Sequence, residues 1–183
     1  MPTRTTLTGK LRDFIERQRL FFVATAGRGG RVNLSPKGMD TLRVVDDGTI
    51  RWLNLTGSGN ETAAHVAETG RMTLMFCAFE GPAMILRVYG RARVLHPRDD
   101  GWGEALAAFP TIAGSRQIFD LAVDLVQTSC GTGVPLMEFR ESRAETQMTP
   151  FYAAMGDEGL REYWRRKNEV SIDGAPTGIF DDV

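Results

Sequence analysis

Leu53-Asn-Leu-Thr-Gly-Ser-Gly-Asn-Glu-Thr62 is the stretch from which the fold of this chain is read. It begins in an apolar, strand-like run, passes Gly57 and Gly59, and delivers a cluster of short hydroxyl and amide side chains. A helical pattern over Glu61 to Thr69 follows at once. A strand that runs through Gly and Ser into a helix start gathers unpaired backbone N–H groups at one point, and the helix dipole adds partial positive charge there. An anion such as phosphate fits that point. A second reading is open on the same residues: Ser58 or Asn60 caps the helix, and the glycines serve only the turn.

Upstream of this loop the pattern is that of short strands and turns. Thr49 to Leu55 alternates through Ile50 and Trp52, and Asp46-Asp47-Gly48 is a turn signal before it. Thr41 to Val45 reads as a strand, as does Leu20 to Ala26, whose nearly all-apolar run suits burial on both faces. Gly27-Arg-Gly-Gly30 turns the chain and Arg31 to Ser35 runs back as a hairpin partner, with Pro36 expected to end regular pairing. Thr8 reads as the N-cap of a first helix that places Leu11, Phe14, Ile15 and Gln18 on one face.

Downstream, Gly70 fits the C-cap of the Glu61–Thr69 helix. Arg71 to Phe79 and Met84 to His96 read as strands around a Gly81-Pro82 turn. Gly90, inside the second of these, marks a bulge or a close approach by a ligand or another backbone. Gly101 to Phe109 reads as a short helix, Ile118 to Thr128 as a strand and Thr149 to Lys167 as a helix. The turn-rich tail from Ser171 to Thr177 is expected to drape over a surface. Without internal repeats, this succession predicts one mainly β domain with flanking helices (α+β), a small antiparallel barrel of about six strands. Its limits are 1–183, with a core over about 10–140 and a helical C-terminal extension over 141–183.

Composition narrows the function. With 42% hydrophobic and 25% charged residues, the chain has the composition of a globular protein with a real core. A formal charge of −1 without a basic block argues against nucleic acid or a membrane surface as partner. No apolar run approaches the ~20 residues of a bilayer span, and Met1 to Lys10 lacks the apolar segment of a secretory signal. Cys77 and Cys130 form neither a disulfide framework nor a metal spacing, and His65 and His96 are the only histidines. The expectation is a cytoplasmic, reduced, metal-free protein.

Motifs for self-sufficient catalysis are missing. There is no Gly-x-Gly-x-x-Gly within a βαβ pattern, no Gly-Lys-Ser/Thr phosphate loop and no Gly-x-Ser-x-Gly elbow. His65 falls in mid-helix and His96 beside Pro97, positions typical of packing or surface histidines. No catalytic residue is assigned, and redox or transfer chemistry would come from a bound cofactor. Ser35-Pro36-Lys37-Gly38 is the second informative spot: a lysine past a strand end, beside a hydroxyl and a Pro-fixed bend, suits a phosphate clamp. Its alternative is an exposed loop lysine.

Ser35-Pro-Lys-Gly-Met-Asp40, then Trp52-Leu-Asn-Leu-Thr-Gly-Ser-Gly-Asn60, then Leu86-Arg-Val-Tyr-Gly-Arg-Ala-Arg93 resembles, in order and spacing, the pyridoxamine 5′-phosphate oxidase-like flavoproteins, FMN-binding split-barrel proteins. The tail, with Trp164-Arg-Arg-Lys-Asn168 and Ser171-Ile-Asp-Gly174, is similar to an oxidase-related FMN-binding subgroup. The resemblance implies a six-stranded antiparallel split barrel, an FMN-dependent oxidoreductase, and a homodimer with FMN in clefts between the subunits. It implies that Lys37 contacts the FMN phosphate and that Asn54, Ser58, Gly59 and Asn60 lie on the binding loop, with Ser35 and Thr62 as additions. It also places the Leu86–Arg93 strand beside the isoalloxazine, with Gly90 allowing close approach. Gly59 and Asn60 stand where the oxidase has an Arg/Lys pair, and Arg140-Glu-Ser142 follows Pro135-Leu-Met-Glu-Phe139 without the oxidase's Arg-x-His element. The substrate is therefore expected to differ from pyridoxamine phosphate, and two other readings stay open: a flavin carrier or sensor without turnover, and the same barrel holding a deazaflavin or haem. Cys130 reads as a substrate-side residue or as a small residue in a turn, and Trp164 as a flavin cover or a staple for the last helix.

Overall fold

Eight antiparallel strands form one sheet in the computed structural model, which describes residues 3–180. The outermost residues of the expected 1–183 domain lie outside that range. The strands are β1 (Thr3–Arg4), β2 (Leu20–Thr25), β3 (Asn33–Gly38), β4 (Leu42–Asp46), β5 (Thr49–Leu55), β6 (Arg71–Cys77), β7 (Ile85–Leu95) and β8 (Ser115–Ser129). Their order is β3-β2-β6-β7-β8-β5-β4, with β1 on the far end of β8. The sheet thus curls into a half-barrel whose rims, β3 and β4, stay unpaired to each other: a split barrel. The count exceeds the expected six, and the strand that no sequence pattern marks is the two-residue β1, which the 15-residue β8 is long enough to carry beside β5 and β7. The helices are α1 (Gly9–Glu16), α2 (Glu61–Thr69), α3 (Trp102–Leu106) and α4 (Thr149–Lys167), the last preceded by a π-helical turn, Ala144–Met148. None of them is long and apolar enough to cross a membrane.

Alternation along the strands builds the core. In β2, Phe21, Val23 and Thr25 point inward while Leu20, Phe22 and Ala24 are half-buried, and β6 buries Met72, Leu74 and Phe76. An aromatic column runs through the barrel: Phe76 stacks on Phe21, Phe21 meets Trp52 edge-on, and Trp52 stacks on Phe119 at 5.0 Å. Leu11, Phe14 and Ile15 of α1 close one end, the face its spacing assigns. Leu86 is fully buried and Met84 packs against the same cluster, so both serve the core.

One local expectation is corrected. Pro36 does not end pairing: β3 continues to Gly38, with Pro36 opposite Phe22. The ring is tolerated because β3 is the edge strand, where a missing N–H leaves no neighbour unpaired. Gly90 sits at a bulge and makes room for backbone, as one of its sequence readings has it. The register shifts between Tyr89 and Gly90, and a Cβ on Gly90 would stand 2.0 Å from the carbonyl oxygen of Ala122 on β8.

Candidate functional site

Alternation on the edge strand makes one wall of the site. Asn33, Ser35 and Lys37 of β3 share a half-buried face while Leu34 and Pro36 point to solvent. Across from them β5 contributes Trp52 and Asn54, both 2% exposed. The loop Thr56 to Asn60 and the first turn of α2 form the end wall. These surfaces enclose a cavity of about 860 Å³ that all seven expected residues line: Ser35, Lys37, Asn54, Ser58, Gly59, Asn60 and Thr62. Phe139, Ser142, Glu145 and Met148, on the segment leading into α4, border it on the outer side. No residue of β7 lines it.

Lys37 has no carboxylate within ion-pair distance among the described residues; its Nζ lies 5.3 Å from the centre of the Trp52 ring. Burial and, to a lesser degree, the Arg116 cation lower its pKa to about 8 against the opposing charge of Glu61. Asn54 Nδ2 donates to Gln117 Oε1 at 3.4 Å. Thr62 Oγ1 accepts from Asn33 Nδ2 at 3.1 Å, which ties the helix start to the lysine-bearing strand. Ser58 is exposed on the loop.

The capping reading of Asn60 fails. It occupies the N-cap position of α2 but makes no cap bond, because its Nδ2 is turned to the carbonyl of Asn168 at 3.2 Å. Its Oδ1 is buried without a partner. The tail is likewise more than a surface drape. Asn168, 0% exposed, donates from Nδ2 to the Gly57 carbonyl at 3.0 Å, and its own carbonyl accepts from Thr177 Oγ1 at 2.6 Å. Ile172 N donates to Glu61 Oε1 and Trp164 Nε1 to Thr56 Oγ1, so the chain after α4 grips the loop from behind. Trp164 is accordingly a staple.

Arg116 was not singled out by the sequence. It is 3% exposed, lines the cavity, and donates from Nη1 to the Gly59 carbonyl at 3.1 Å. Burial lowers its pKa to about 10, offset in part by Tyr152, Glu61 and Tyr163. Its signal is tertiary. Asn54 pairs with Gln117 and Leu55 with Ser115, so Arg116 is the extra residue of a β-bulge, a device that re-aims a side chain.

The remaining candidates stand off the cavity. His65 is buried with Nδ1 3.1 Å from Thr25 Oγ1, and His96 is buried at the end of β7. Cys130 is exposed beyond β8, where hydrogen bonds from Thr132 hold its pKa down; Cys77 is buried and its pKa is raised by that burial.

A protein-family model described as pyridoxamine 5′-phosphate oxidase matches residues 7–130. A pyridoxamine 5′-phosphate oxidase family protein of Aspergillus flavus, ustO, is 33% identical over 187 residues, covering 93% of this chain and 75% of that protein. Two solved structures share the fold. HupZ of Group A Streptococcus has a TM-score of 0.55 at 20% identity, covering 68% of this chain and 94% of that one. A protein of Lactobacillus delbrueckii described as a putative pyridoxamine 5′-phosphate oxidase has a TM-score of 0.53 at 21% identity, covering 68% and 99%.

Proposed function

The chain belongs to the pyridoxamine 5′-phosphate oxidase family, and on that premise we propose that it binds FMN in the β3–β5 cavity and acts as an oxidoreductase. The observation that carries the reading is Lys37: a cation without a carboxylate partner among the described residues, facing the glycine-rich loop and helix start across one cavity. A volume of about 860 Å³ is in the range of cofactor pockets. The residues present fit the group. Lys37 neutralises the phosphate, Ser58 and the loop N–H groups donate to it, and the N-terminus of α2 adds its dipole. Trp52 and Asn54 floor the cavity, while Phe139 and Met148 restrict water at its outer side. Bound FMN supplies the hydride or electron transfer that the surrounding side chains do not offer. No histidine lines the cavity, which disfavours a haem held through this chain's own imidazoles.

A homodimer belongs to the same reading. Leu136, Met137 and Phe139 are 78%, 56% and 52% exposed on the segment that borders the cavity, an apolar run suited to a second copy. Titration of apo-protein with FMN and riboflavin, followed by flavin fluorescence, tests the binding. Tighter binding of FMN by tenfold or more is expected, and equal affinities would remove the phosphate clamp. Oxidation of NADH or NADPH by the loaded protein, with quinone-like acceptors, separates an enzyme from a flavin carrier: absence of turnover with every donor would leave the carrier.

A further inference from the structure

We infer that Arg116 is the second cation of the anion site, pairing with Lys37 so that the cavity selects a phosphate monoester dianion over neutral or singly charged analogues. The inference deepens the FMN reading and rests on its placement of a phosphate in this cavity.

Four independent observations converge on it. First, Arg116 is the bulge residue of β8 opposite Asn54 and Leu55, so its side chain leaves the ladder's alternation and reaches the cavity. Second, it is 3% exposed, and among the described residues no carboxylate forms an ion pair with it. A guanidinium taken out of water without a counter-charge is costly, and the cost is relieved when an anion arrives. Third, its Nε is buried with no hydrogen-bond partner, although Nη1 is anchored on the Gly59 carbonyl. Fourth, Lys37 lines the same cavity, and the Arg116 charge disfavours its ammonium form.

The charges present set the ligand class. Of the four carboxylates that line the cavity, Glu16, Asp40, Glu61 and Glu145, Glu61 alone acts on both cations. Its Oε1 accepts from Ile172 N and it pairs with neither, so Lys37 and Arg116 lack a paired counter-charge. A phosphate monoester carries about −1.5 to −2 near neutral pH and offers three acceptor oxygens. The forked donors of arginine match such oxygens in a way a lysine point charge does not. The Gly59 bond gives Arg116 a positioning role as well, since it ties the loop to β8.

Arg116→Met and Arg116→Lys test this. For Arg116→Met, the preference for FMN over riboflavin is expected to fall about tenfold or more. Arg116→Lys should retain part of it. The melting temperature of the apo-protein gives a readout that a purely structural arginine would not share. Removing an uncompensated buried cation should leave apo Arg116→Met no less stable than wild type, while stabilisation by inorganic phosphate is lost. An apo variant that melts lower yet keeps the wild-type FMN preference would overturn the inference and make Arg116 a strut. If Arg116→Met fails to fold, an unchanged FMN preference in Arg116→Lys with its phosphate response intact would overturn the fork-donor claim. Failure of the FMN reading is distinguishable. Wild type stabilised by phosphate but not by FMN, with the response lost on Arg116→Met, would sink FMN and keep Arg116. Wild type that responds to neither would sink both.

Discussion

Lys37 is pulled in two directions, and the balance is measurable. Burial and the Arg116 charge disfavour its ammonium form, lowering its pKa from 10.5 to about 8, whereas a bound phosphate favours it. Between about 8 and 10.5 the unfolded chain therefore binds more protons at this lysine than the folded apo-protein does. The lysine's contribution to apo stability rises with pH across that window. FMN affinity should move the other way, falling as pH passes about 8 and the cation is lost. Melting curves and FMN titrations at pH 7 and pH 9 check both signs; affinity independent of pH would take Lys37 out of the site. Lys37→Ala should weaken FMN binding at pH 7 by about 1.5–3 kcal/mol, read by fluorescence titration. Ser35 and Lys37 were legible in the sequence as a hydroxyl and a lysine at a Pro-fixed bend; that they share one strand face was not, because Pro36 reads as the end of pairing and β3 runs through it. Arg116 was not, because a bulge is decided by the register of β8 against β5, and no local pattern marks it.

The loop Thr56 to Asn60 is shaped less by its own residues than by elements that pack on it. Asn168 holds the Gly57 carbonyl, Trp164 holds Thr56 and Arg116 holds Gly59. Asn168→Ala removes a fully buried donor and leaves the Gly57 carbonyl without it; a loss of about 1–3 kcal/mol in stability is expected from denaturant unfolding. Weaker FMN binding should accompany it, and an unchanged affinity would mean that the tail supports the fold alone. Gly90→Ala places a methyl carbon against the Ala122 carbonyl, and destabilisation of about 3 kcal/mol or more is expected with FMN preference retained. Element type was legible where the pattern is strong: β5 and α2 with its left-handed Gly70 fall on the expected residues, and α4 does so in extent but is kinked at Gly156, whose backbone leaves the helix. Long-range partners were not. Asn60 has the composition of a cap, yet a residue 108 positions away claims its side chain. Likewise Thr3–Arg4 becomes a strand only because β8 extends far enough to receive it.

At the scale of the whole molecule, a half-barrel with an open edge places the cavity that holds Lys37 and Arg116 between the unpaired β3 rim and β5. The aromatic column from Phe76 to Phe119 fixes Trp52, and through it the floor of that cavity. The exposed apolar run at Leu136 and Met137 predicts a dimer by light scattering across micromolar concentrations; a monomer throughout would confine the site to one chain. The most direct test of the cofactor reading is the absorbance spectrum of the purified protein, recorded as isolated and again after FMN addition and removal of the unbound excess. Protein-bound flavin bands that survive this removal, and that riboflavin does not reproduce, are the predicted result. A spectrum that stays featureless after FMN addition would contradict the account, leaving the family fold without the family's cofactor.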